Sequence, residues 1–112
     1  MIAKTLLDFL ADDLGVGVYM EQPSQLTDYV LIDQTGSSQV NHITTTTFAL
    51  QSYGSTLYNA MVLNERVKDA MERFAELNEV TRVELNTDYN FTNTATKQYR
   101  WQAVYLITHY GG

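Results

Sequence analysis

Between Ser55 and Leu77 the apolar residues Ala60, Leu63, Val67, Ala70, Met71, Phe74 and Leu77 recur at helical spacing, whereas Glu65, Asp69, Glu72 and Glu76 fall off that stripe. A helix with one apolar stripe has to bury it against another layer. The blocks at residues 29–32, 43–53, 80–87 and 99–109 supply that layer, because they are rich in β-branched and aromatic residues and several alternate with period two. Ser55 is placed to cap the helix and Asn78 to end it.

The amino end repeats the pattern on a smaller scale. Ala3, Leu6, Leu7, Leu10 and Leu14 make a second apolar stripe, Asp8, Asp12 and Asp13 lie largely off it, and Gly15 stops the helix. A short strand is expected over 16–20 and a loop over 21–28, where Pro23 and Ser24 stand. Tyr29-Val30-Leu31-Ile32 reads as a buried strand, Gly36-Ser37-Ser38 as the turn of a hairpin, and 43–53 as its second strand. The threonine run Thr44 to Thr47 suits a sheet edge or an arm covered by another chain. Strands over 80–87 and 99–109 are joined by a polar loop over 88–98. The expected fold is therefore α+β, a mostly antiparallel sheet of four to five strands packed against two helices in the order α-β-β-β-α-β-β, as one domain over residues 1–112.

Composition narrows the function. The chain has 45% hydrophobic residues and no cysteine, so stability must come from packing or oligomerisation, and a reducing compartment is the natural setting. Acidic residues interrupt the apolar run a secretory signal would need, and no stretch is apolar enough to span a membrane. The formal charge is −6 and the seven Lys and Arg form no basic run, which argues against binding driven by phosphate neutralisation.

No motif for catalysis is present. His42 and His109 lack the spacing of a zinc site, the serines lack a nucleophile elbow, and neither phosphate-loop pattern occurs. Asp12 and Asp13 sit where the helix dipole disfavours negative charge, a cost that a divalent metal or an arginine from a neighbour could offset and that solvation alone suffices to meet. With Asp33 or Asp88 they define one alternative, a small metal-dependent enzyme. Asp69 and Arg73 are spaced as an ordinary helical ion pair. Tyr89 and Phe91, which sit with Asn90 and Asn93 in the expected loop, either fold back onto their own sheet or serve as interface anchors, which bury much area at little entropic cost.

In its whole layout the chain resembles the tail terminator proteins of long-tailed bacteriophages, a group that includes minor capsid and tail completion subunits. The resemblance rests on the opening helix ending near Leu14-Gly15-Val16, on Tyr29-Val30-Leu31-Ile32 before Gly36, and on Phe48-Ala49-Leu50-Gln51-Ser52-Tyr53-Gly54-Ser55 leading into the long helix. Val83-Glu84-Leu85-Asn86, Tyr89-Asn90-Phe91 and Tyr99-Arg100-Trp101-Gln102-Ala103-Val104-Tyr105-Leu106 complete it.

The resemblance implies a non-enzymatic virion protein without cofactor or metal, made in the host cytoplasm and placed at the tail–neck junction. Its copies would form a ring, usually a hexamer, that caps the tail tube protein and meets the neck connector, while DNA passes through the lumen without specific binding. The expected contact surfaces are the hairpin bearing Gly36 and His42 and the loop bearing Tyr89 and Phe91. Asp12, Asp13, Glu65, Asp69, Glu72 and Glu76 are the expected acidic surface. Another head–tail connector, a stopper or completion protein, is the alternative of the same class.

Overall fold

The computed structural model describes residues 1–24 and 28–110. Its order is α1 (Ile2–Leu14), β1 (Gly17–Tyr19), β2 (Tyr29–Val40), β3 (Ile43–Gly54), α2 (Leu57–Phe74), β4 (Val80–Asn90) and β5 (Tyr99–Tyr110). The sheet runs β1-β2-β3-β5-β4; β1 pairs parallel to β2 and every other pair is antiparallel. The α+β expectation and the element order agree with this arrangement. Residues 25–27 of the expected loop over 21–28 lie outside the described residues.

Both helices pack on one face. Ile2, Leu6, Leu10 and Leu14 of α1 and Leu63, Val67, Ala70, Met71 and Phe74 of α2 close over Val30, Ile32, Phe48, Leu50, Ala103 and Ile107. The apolar stripes place them there, and burial at about 25 cal/mol per Å² is the main driving force. Gly15 ends α1 in the left-handed region at φ 71, which glycine enters with no Cβ clash and most other residues avoid. Thr56, one residue beyond the expected Ser55, is the cap of α2: its Oγ1 accepts from Asn59 N at 3.1 Å. Ser55 Oγ instead accepts from Asn59 Nδ2 at 2.9 Å. The helix ends at Phe74, three residues short of Leu77, which follows in a turn.

Three expectations need correction. Gly36 is not in a turn but in mid-strand, just after a bulge between Gln34 and Gly36, and the hairpin turns at Asn41 and His42. Both have positive φ, 52 and 69, the geometry of a two-residue hairpin whose twist matches its strands. The threonine run is not at an edge, because β3 lies between β2 and β5. Thr44 and Thr46 are buried, and Thr46 Oγ1 meets His109 Nε2 at 2.9 Å across the β3–β5 pair; a satisfied hydroxyl and a packed methyl fit a central strand. Finally, β4 runs to Asn90, so Asp88, Tyr89 and Asn90 are strand residues and the connection shortens to 91–98. Bulges near Thr81 and Asn86 break the alternation that would have extended the strand on paper.

Burial holds the His109 imidazole below its ordinary 6.5. Below pH 6.5 the unfolded chain takes up a proton that the folded chain refuses, so stability should fall as pH drops through that value until the folded pKa is passed. Urea midpoints at pH 7.5 and 5.5 test this. His109→Gln should flatten the difference, and an unchanged slope would refute the assignment.

Candidate assembly surfaces

The face of the sheet away from the helices carries no second layer among the described residues, yet several of its side chains are buried by one another. Cross-strand register sets Tyr29, Tyr53 and Arg100 in one row and Leu31, Gln51, Gln102 and Tyr89 in the next. Gln51 Nε2 donates to Gln102 Oε1 at 2.8 Å, Tyr53 Oη donates to Gln51 Oε1 at 3.0 Å, and Gln102 Nε2 donates to Tyr89 Oη. Gln22 reaches over from the β1–β2 connection and donates to Tyr29 Oη. The Tyr29 and Tyr53 rings stack at 4.5 Å and 12°, and burial pushes the Tyr29 hydroxyl above its usual range. A hydrogen-bonded ladder across four strands is thus held in one arrangement, since each buried polar group has a partner that it would lose by moving.

This ladder fixes the two aromatic residues singled out in the sequence. Tyr89 stands on β4, Phe91 follows the strand, and their rings meet edge to face at 5.8 Å and 79°. Arg100 lies 4.3 Å from the Phe91 ring centre, donates from Nε to the Phe91 carbonyl at 2.7 Å and from Nη1 to Tyr53 Oη at 3.0 Å. The patch stays partly open, with Tyr89 at 40% and Phe91 at 38% exposure. Aromatics ordered in advance lose little entropy when a partner covers them.

The hairpin end is a second patch. Val40, Ile43 and Tyr110 pair across β2, β3 and β5, and all three are exposed, Val40 most of all at 69%. His42 is exposed in the turn beside them, and Gly36 is exposed further back along β2. Gly36 and His42 are therefore on one arm but not at one point, and the apolar surface near them is Val40 and Ile43. The two patches share the open face at opposite ends of β3, about 34 Å apart at 3.4 Å per residue, in a molecule 44 Å long.

The acidic residues serve separate ends. Asp13 takes two hydrogen bonds from Arg73, at 2.6 Å to Nη2 and 3.2 Å to Nε. That contact lowers the carboxyl pKa and raises that of the guanidinium. So α2 supplies the arginine that offsets the end of α1, and Arg73 forms its ion pair with Asp13 instead of Asp69. Asp12 and Glu76 are exposed, while Glu65, Asp69 and Glu72 border a groove between α2 and β4. Asp88 accepts from Lys68 Nζ at 2.6 Å, Asn64 Nδ2 at 2.8 Å and Trp101 Nε1 at 2.7 Å. Burial would raise its pKa, but these three donors outweigh burial and hold it below the usual carboxylate value. Asp13 and Asp88 are thus each committed to different partners, and no three metal-binding side chains converge among the described residues.

The ladder residues Gln51, Gln102 and Arg100 were not singled out from the sequence. Their signal is slight: Arg100 and Gln102 alternate with Tyr99, Trp101 and Ala103 at the start of β5, and Gln51 falls two residues before Tyr53 on one face of β3. Protein-family models and curated proteins were both compared with the chain, and none matches it.

Proposed function

We propose that the chain is a structural subunit of a bacteriophage virion, a tail terminator that closes with its own copies into a ring on the tail tube and meets the neck connector on its other side. The observation that carries this reading is the separation of two unlike apolar patches, Val40–Ile43–Tyr110 and Tyr89–Phe91, at opposite ends of one sheet face. Ring closure requires two different surfaces per subunit, whereas a twofold dimer requires one surface that matches itself. A net charge of −6 without a basic run suits a ring through which DNA slides without sticking. The whole-chain resemblance to tail terminators supplies the tail–neck junction as the place and a hexamer as the expected size.

The test uses one variant at each end. Tyr89→Ala with Phe91→Ala, and separately Val40→Asp with Ile43→Asp, should leave circular dichroism unchanged and abolish rings in sedimentation velocity and binding to tail tubes. Each anchor is expected to weaken association by about 2 kcal/mol, close to 30-fold. Mixed together, the two variants retain one intact joint and should give heterodimers only. Rings that survive either double substitution, or nanomolar binding to duplex DNA in a gel shift, would refute the reading.

A further inference from the structure

The helix layer is narrower than the sheet. Strands lie about 4.8 Å apart and packed helices 8–10 Å apart, so two helices cover roughly four strands and leave a fifth bare. Here α1 lies beside β1 and α2 lies over β3 and β5, meeting β4 only at its margin. The helix-facing side of β4 is nevertheless apolar. Val83 and Leu85, with Met71 of α2 and Tyr105 of β5, floor an open groove of about 600 Å³. Leu85 is 43% exposed there, where a third helix in the layer would bury it.

The rim of the groove has one dominant sign. Glu65, Asp69 and Glu72 border it, and its single cation, Lys68, is already bound to Asp88 at 2.6 Å and Glu65 at 2.9 Å. The carboxylates all stand on the α2 wall, so the groove is complementary to a helix whose apolar stripe is edged by Lys or Arg on the side that meets α2. Among the described residues, neither helix presents such a face to a second copy: Lys4, the single cation of α1, is paired with Asp8, and on α2 Arg73 is paired with Asp13, Arg66 is held by the Leu14 carbonyl and Lys68 lies in the groove itself.

We propose that this groove docks a basic amphipathic helix of a different protein, which lies beside α2 over β4 and completes the helix layer. The occupant presents leucine-like side chains to Val83, Leu85 and Met71 and cations to Asp69 and Glu72. The groove lies on the helix side of the sheet, opposite the two patches assigned to ring closure, so this binding is independent of self-assembly.

The probe is a synthetic 18-residue helical peptide with a leucine stripe flanked by lysines, titrated into the ¹⁵N-labelled full chain. Saturable shifts are expected in the amides of 65–75 and 82–86. A scrambled peptide of the same composition should bind at least tenfold more weakly, and Asp69→Lys or Glu72→Lys should weaken the patterned peptide about tenfold, both positions being exposed enough to leave the fold intact. Equal binding of the scrambled peptide, shifts spread over the whole surface, or no response to charge reversal would overturn the proposal. So would shifts in the same residues on raising protein concentration without peptide, which would make the occupant a second copy.

Discussion

Replacing Phe74 by alanine is expected to cost about 3–5 kcal/mol and to lower the melting temperature by about 10 °C or more. Phe74 is fully buried in the last turn of α2, and its ring meets that of Phe9 edge to face at 5.3 Å and 77°. It is the point at which the two helices lock together above the sheet. Truncation removes the transfer energy of the ring and leaves a cavity whose walls, helix on one side and sheet on the other, cannot fully close. Phe74→Leu keeps most of the volume and should cost much less, under about 1.5 kcal/mol if the neighbours repack. Urea unfolding of the two variants beside the parent measures the difference. A loss below about 1 kcal/mol for the alanine variant would mean that the ring is not part of the core.

The two helices were legible because their apolar stripes are long, and the stop of α1 is local, whereas α2 ends at Phe74, ahead of the end expected at Leu77 and Asn78. Gly15 ends α1 as its position suggested, and Val67, Met71 and Phe74 are buried as the stripe required. What escaped sequence reasoning depends on neighbours distant in the chain. Gly36-Ser37-Ser38 has turn composition, but continuous pairing of Gly36 to Val40 with Thr47 to Ile43 carries the strand past it to Asn41 and His42. The threonine run looked half apolar because a lone strand shows neither the His109 side chain that satisfies Thr46 nor the Thr108 hydroxyl 3.2 Å from that of Thr45. On β4, two bulges move Asp88 to the helix side, where three donors await it. Tyr89 and Phe91 were legible as unusual residues, but their geometry was not, because Arg100 and the glutamine ladder that hold them come from other strands.

Gly54→Ala is expected to be the most damaging change of a single methyl, at about 1–3 kcal/mol or somewhat more, the range for overpacking. Gly54 is the last residue of β3, and a Cβ built there would lie 2.5 Å from Ala60 N, 2.9 Å from Asn59 C and 3.0 Å from Ala60 Cα. All three atoms are backbone in the first turn of α2, where no rotamer change can make room. That turn is held by the Thr56 cap and by Ala60 N donating to the Thr56 carbonyl at 3.1 Å, and Asp28 Oδ1 takes the Ser55 amide at 2.9 Å. Relief must therefore come from lifting the start of the helix or bending the end of the strand. Tyr53 precedes Gly54 on β3, so the second course would also disturb the stack with Tyr29 and the contact with Arg100 that fixes Phe91. Gly15 provides the contrast: its φ of 71 demands a left-handed residue, but nothing lies within 4 Å of its absent Cβ. Asparagine tolerates that conformation, so Gly15→Asn should recover most of what Gly15→Ala loses, whereas Gly54→Asn should be at least as harmful as Gly54→Ala. Denaturant unfolding of the four variants separates crowding from backbone strain. A neutral Gly54→Ala would show that α2 starts loosely and that the strand–helix junction does not hold the aromatic patch in place.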